Sequence, residues 1–137
     1  MKTIAVKITV AAIVAMTLHA PATLADNNLP QAQQDGNVTY VTGGIGDEER
    51  NALRAVQHDY NLHIVNAVGA SGAYPGDTHI IIYDKHHQEV VNTDTDPLFY
   101  AQLPAGRYTV EESSEGEDKQ QSVVIAANKP ENITFRW

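Results

Sequence analysis

The sequence predicts a mainly β protein: an antiparallel sandwich of about seven strands with one helix packed on a sheet face. Three observations carry that expectation. Leu98 to Ser113 (LFYAQLPAGRYTVEES) reads as two period-two runs around a Pro-Ala-Gly corner. Short β-prone runs recur along the chain, each ended by Gly, Pro, Asn or Asp. Only one stretch, Asp47 to Tyr60, carries a helical apolar period.

Within the central run Phe99, Ala101 and Leu103 alternate with Tyr100 and Gln102, and Tyr108 and Val110 alternate with Arg107, Thr109 and Glu111. Pro104 presets φ for a type I turn and Gly106 accepts positive φ, so the two runs are expected to form a hairpin with one apolar face. A second layer must cover that face.

The first residues have a different composition. Lys2 and Lys7 precede an apolar run, Ile8 to Leu18, and Thr23-Leu24-Ala25 offers small residues for cleavage. Residues 1–25 therefore read as a signal peptide, the apolar run being too short for a bilayer span. The expected location is periplasmic or secreted, in a bacterium, with no membrane span after cleavage. Residues 26–37 are polar and without apolar period, a flexible arm. The folded domain is then expected over 38–137.

The chain has no cysteine, so no disulfide framework supports it. Removing Lys2 and Lys7 leaves seven cationic residues against seventeen acids, a net charge of −10. Such a surface repels phosphate backbones and anionic lipid, which argues against a nucleic-acid partner.

Val38 to Thr42 reads as a first strand ending at Gly43-Gly44. In the helix that follows, Asp47 is the expected cap, Leu53, Val56 and Tyr60 the apolar stripe, and Asn61 the left-handed stop. Leu62 to Val68 and Thr78 to Asp84 are strands, separated by a turn-rich loop, Gly69 to Asp77. Apolar residues alternate on both faces of each, Ile80 and Ile82 against Ile81 and Tyr83 in the second, as in strands buried on two sides. Pairing them symmetrically sets Val65 beside Ile81 and His63 beside Tyr83. Lys85 to Glu89 turns the chain into Val90 to Thr93, and Asp94 to Pro97 forms a corner. Glu115 to Asp118 turns it into Lys119 to Ala126, and Asn128 to Glu131 into the closing strand, Asn132 to Trp137.

From Tyr74 onward the chain resembles a carboxypeptidase regulatory-like domain, a transthyretin-like β-sandwich family. The resemblance lies in IIIYDKHHQEVV, then FYAQLPAGRYTVEE, a Gly turn, and two closing strands ending NITFRW. LPAGRYTV is its most specific part. YVTGGIGDEERNALRAVQHDYNLHIVNA resembles the front half of small exported proteobacterial proteins of this type. One departure is visible: His87 stands where the turn after Asp84 usually carries Gly, and His enters the left-handed region more readily than most residues. The family domain has no catalytic residues, so the resemblance implies a binding or accessory role and no cofactor.

The residues themselves offer few alternatives. His86-His87-Gln88-Glu89 has the His-x-x-Glu spacing of zinc carboxypeptidases, but a catalytic zinc needs a third ligand and no histidine follows His87. A polar turn is the simpler reading, with metal binding by His86 and His87 and a small metal-dependent hydrolase as the alternatives. Asp84, Asp94 and Asp96 lack the alternation of a calcium loop. Glu111, Glu112, Glu115, Glu117 and Asp118 read as a solvated hairpin tip. Tyr74, beside Pro75-Gly76, is the aromatic expected to be exposed, with Tyr100 the second candidate for a ligand platform. The expectation is an exported, non-enzymatic module. Its partner would be an envelope protein, peptide or glycan, met at the Tyr74 loop or at a sheet edge; a purely structural envelope role is the remaining possibility.

Overall fold

The computed structural model describes residues 30–71 and 73–137; the expected signal peptide and the first part of the arm lie outside them. Among the described residues nine strands form two sheets packed face to face, with one α-helix on the outside of the larger sheet. The strands are β1 (Gln33–Asp35), β2 (Val38–Gly43), β3 (Leu62–Ala67), β4 (Thr78–Tyr83), β5 (Glu89–Thr95), β6 (Leu98–Gln102), β7 (Gly106–Ser114), β8 (Glu117–Ile125) and β9 (Glu131–Arg136). The five-stranded sheet runs β1-β2-β6-β3-β9 and the four-stranded sheet β5-β4-β7-β8. All pairings are antiparallel except β3 with β9.

The core is one cluster drawn from the inner faces of both sheets. Ile64, Phe99, Ala101 and Phe135 on one side meet Ile80, Ile82, Val91 and Val110 on the other, all essentially inaccessible. Alternation explains who is inside. Along β7 the inward positions are Tyr108, Val110, Glu112 and Ser114; along β4 they are Thr78, Ile80 and Ile82.

The helix α1 (Asp47–Val56) covers the outer face of β2 and β6, and a 3-10 turn, Gln57–Asp59, prolongs it. Leu53 is buried against Val41, Leu98 and Tyr100, with Tyr60 and Val65 alongside. Val56, expected on the apolar stripe, is exposed, while Tyr60 beyond the 3-10 turn packs beside Leu53. The N-terminal end departs from expectation too. Gly46 occupies the cap position and Asp47 makes no side-chain cap. Instead the Glu49 carboxylate reaches back and accepts from the Gly44 and Ile45 amides at 2.9 and 3.2 Å. Gly44, at φ 99°, leaves no room for a side chain: an added Cβ would sit 2.9 Å from Leu98. Asn61 is not a left-handed stop. Its amide brackets the backbone of Leu103, donating to the carbonyl at 2.8 Å and accepting from the amide at 2.9 Å, which ties the helix exit to the end of β6.

Four further expectations are corrected. Gln33–Asp35, placed in the flexible arm, pairs with β2 across a turn in which Gly36 has φ 54°. The strands β3 and β4 are not partners; they lie in different sheets, so Val65 does not meet Ile81 and His63 does not meet Tyr83. The outer face of β4 is half-exposed beside Asn92 and Glu111, and the helix instead covers β6, whose alternation buries both faces. The central run is not a hairpin either: β6 and β7 belong to opposite sheets, and Leu103 to Ala105 carries the chain across the sandwich.

That crossing has a specific fastening. The Tyr108 hydroxyl donates to the carbonyl of Pro104 at 2.7 Å, an i to i−4 bond that closes the corner around Gly106. Elsewhere the turn chemistry follows the sequence: His87 takes φ 57° in the β4–β5 turn, and Glu115 and Gly116, at 51° and 83°, form the two-residue β7–β8 loop.

The corner bond yields a direct prediction. Tyr108→Phe keeps the ring in the core and removes only the hydroxyl, so it should cost about 1 kcal/mol and lower Tm by several degrees. Thermal unfolding followed by circular dichroism checks this; an unchanged Tm would show that the corner contributes nothing.

Candidate functional site

One end of the sandwich is built from polar residues. There β5 leaves its sheet and enters β6 through Asp96 and Pro97, and Tyr74 to Asp77 lie beside it. The Thr42 hydroxyl donates to the Leu98 carbonyl at 2.9 Å and accepts from the Asp96 amide at 2.8 Å. Thr95 is buried 3.1 Å away, so a small hydroxyl cluster joins the two sheets. Thr78, also buried, donates to the Gly76 carbonyl at 2.9 Å and pins the loop to the start of β4.

Between this joint and the loop lies an open groove of about 960 Å³. Tyr74 and Pro75 form one wall, Asp94 to Pro97 another, and the Ser113–Gly116 end of β7 the third. Tyr74 is 38% exposed and stacks under the Arg50 guanidinium, whose Cζ is 5.8 Å from the ring centroid. Arg50 in turn donates to the Gly44 and Ile45 carbonyls and pairs with Asp47, which docks the loop on the helix entrance. Ile45, on the rim, is 69% exposed.

The groove is acidic. Asp96 is half-buried, and burial followed by the Glu49 carboxylate pushes it above the usual carboxylate range. Asp94 is exposed and engages His79 at 2.7 Å. The other ring nitrogen of His79 is 2.7 Å from Asn92 Oδ1, and the Asn92 amide donates to Glu89 at 3.0 Å, which fixes that oxygen toward the ring. Both ring nitrogens thus face acceptors, an arrangement satisfied by the imidazolium. The Asp94 bond is the largest influence and raises the His79 pKa above its ordinary value; burial opposes it and Asn92 adds to it.

The candidate residues named from sequence are scattered. Tyr74 lines the groove. Tyr100 does not reach solvent: it is buried under α1 with its ring 4.9 Å from His63 and 6.3 Å from Tyr60, so it is a packing residue and no ligand platform. The reason is its place on the outer face of a strand that the helix covers. His86 and His87 sit on the β4–β5 turn at the far end of β4, roughly 20 Å from the groove along six residues of strand. Asp84 lies with them, accepting from the His86 and Gln88 amides at 2.8 and 3.0 Å as a turn residue. It is therefore separated from Asp94 and Asp96. Among the described residues no three His, Cys, Asp or Glu side chains converge on one point.

The acidic tip is also corrected. Glu115, Glu117 and Asp118 are solvated and Glu111 is half-buried, but Glu112 is fully buried in the sandwich because it shares a face with Tyr108 and Val110. Neither of its oxygens completes a hydrogen bond, nor does the Asn66 amide nitrogen. Burial raises its pKa to about 8, tempered by Asn66, so the carboxyl is held protonated at neutral pH. Asn66 is itself held by the Trp137 indole, which donates to its oxygen at 3.3 Å. Period-two reading of YTVEES assigns Glu112 inward. The burial of Asn66 and the His79–Asp94 pair depend on sheet order, which local pattern does not contain.

No protein-family model matches the chain, and no curated protein matches it significantly. Among the described residues the chain is a two-sheet β fold with one covering helix and an acidic groove at its polar end.

Two titrations test this geometry. A carboxyl raised from 4.5 to about 8 on folding makes the folded state bind the extra proton, so stability is fully present below 4.5. It then falls by roughly 1.4 kcal/mol per pH unit until about pH 8. Chemical denaturation across that range should show this slope in the wild type and a flatter profile in Glu112→Gln; matching profiles would mean that Glu112 ionises freely in the fold. His79 should titrate above its ordinary value by NMR and move down in Asp94→Asn. Its contribution to stability is then present below about 6.5 and lost as pH rises through the folded value.

Proposed function

We propose that the protein is an exported, non-enzymatic binding or accessory module of the bacterial cell envelope, which receives its ligand in the Tyr74 groove. The observation that carries this reading is the groove itself: a concave surface with an aromatic wall and several polar groups, set on loops at one end of a packed scaffold. Tyr74 is held ready by Arg50 rather than packed away, and the hydroxyl joint beneath it holds the loop and the sheet end in place. The apolar stretch at 8–18 supports export, and the LPAGRYTV corner supports kinship with the carboxypeptidase regulatory-like, transthyretin-like sandwiches. A module of that kind acts by presenting a surface to an envelope protein, peptide or glycan.

The test uses the full chain expressed in its own type of host, with a photo-crosslinking amino acid at position 74 and, as a control, at the exposed Val124 on β8. Irradiation of intact cells should give a discrete adduct from position 74 and none from 124. Adducts from 124 alone would move the binding surface to the β8 edge and end the groove reading. Stoichiometric zinc in the purified protein, together with hydrolytic activity lost in His87→Ala, would overturn the non-enzymatic assignment.

A further inference from the structure

We propose that Lys119 and Asn66 join through an intramolecular amide bond that staples the two sheets together, with Glu112 carrying the proton between them. Three polar atoms of the core are left over by the fold. Both carboxyl oxygens of Glu112 and the amide nitrogen of Asn66 are buried without a hydrogen-bond partner among the described residues. Each residue is wholly inaccessible, and each faces inward, Glu112 from β7 and Asn66 from β3 in the opposite sheet. Unsatisfied groups in a native interior call for an explanation, and a catalytic role is one.

The strand register brings a nucleophile to the same place. Lys119 stands directly opposite Glu112 in the β7–β8 pair, so both side chains project from one face of the sheet. That face is the inner one, since Val123 and Ile125 further along β8 alternate into the core. Lys119 Nζ lies 5.0 Å from the centroid of the Trp137 ring, and the same indole donates to Asn66 Oδ1 at 3.3 Å. Asn66, Trp137, Lys119 and Glu112 thus form one connected group where β8 closes on β9. Nζ donates there to the Arg136 carbonyl at the rim, and rotation of its long side chain across the indole carries it inward to Asn66.

The chemistry balances within the chain. The Lys119 side chain is 33% exposed, so its ammonium loses one proton to solvent and reacts as the neutral amine. The Nζ lone pair forms a bond to Asn66 Cγ, and the Trp137 indole stabilises the charge that develops on Oδ1. Glu112, held protonated by its burial, gives its proton to Nδ2 and takes one from Nζ. The Cγ–Nδ2 bond breaks, ammonia leaves and the carboxyl is restored; nothing is oxidised or reduced. An ion pair between Lys119 and Glu112 would satisfy the carboxylate and leave the Asn66 nitrogen orphaned, whereas the amide bond removes that nitrogen altogether.

Intact-mass spectrometry of the full chain, expressed in its own type of host, purified and denatured, tests this. Once the N-terminal residue is assigned, the mass should fall short of the sequence by one molecule of ammonia. Proteolysis should release a branched peptide that holds residues 66 and 119. Lys119→Arg keeps the positive charge at a partly exposed position, so it should fold, show the full mass and melt at a lower temperature than the stapled wild type. Glu112→Gln, close in shape to the protonated carboxyl, should also show the full mass. Circular dichroism confirms that both variants are folded.

Full mass in the wild type would overturn the proposal. An ammonia deficit that persists in Lys119→Arg would do so too, because a succinimide at Asn66 loses ammonia without joining two residues. A linked peptide formed to the wild-type extent in Glu112→Gln would overturn the part assigned to Glu112.

Discussion

Everything in this fold depends on Leu98–Gln102 being covered on both faces. Phe99 and Ala101 point into the sandwich, where Phe99 stacks on Tyr40 at 5.4 Å between centroids; Leu98 and Tyr100 point the other way, under α1. A strand with apolar residues at four successive positions, Leu98 to Ala101, is best satisfied in the middle of a sheet with a layer on each side. That requirement places β2 and β3 on its two edges, forces the connection between them to pass over the outer face, and makes that connection the helix. It also prevents β6 from folding back on β7, since both need the same inner space from opposite sides.

The polar end follows from the same layout. Three connections change sheet there or pass close by, and each leaves backbone groups that no strand partner can satisfy. Thr42, Thr95 and Thr78 meet those groups with hydroxyls, and Glu49 and Arg50 do so at the helix entrance. The cost is a concentration of carboxylates with few cations, and the groove with its exposed Tyr74 forms where that imbalance lies. Glu112 is a second departure from an apolar interior, placed among core residues with Asn66 as its polar neighbour. A polar group so poorly satisfied lowers stability.

Local pattern carried the elements well and their arrangement badly. The period-two runs at Thr78, Leu98, Arg107 and Ile133 and the helical stripe at Leu53 are written in adjacent residues, so strands, helix and most turns were legible. Even His87 at positive φ could be read from the turn around it. Sheet membership is different, because the Pro104–Gly106 corner looks the same whether it joins partners or spans two layers; the bond from Tyr108 to Pro104 distinguishes them only once the chain is folded. For the same reason Tyr74 was recognisable from its Pro-Gly neighbours, whereas Tyr100 was misplaced: the helix that buries it lies some forty residues earlier. The groove itself gathers β4, β5, β7 and Tyr74 to Asp77, and no single stretch describes it.

The central claim is that β6 and β7 stand in opposite sheets, and backbone NOEs in isotopically labelled protein measure it most directly. The account predicts cross-strand contacts from Ala101 to Tyr40 and Leu62, from Tyr108 to Val123, and between Ile64 and Ile133 in the parallel pair. A ladder of backbone contacts running directly between Leu98–Gln102 and Gly106–Ser114 would show a hairpin instead, and would contradict the sandwich and the groove built upon it.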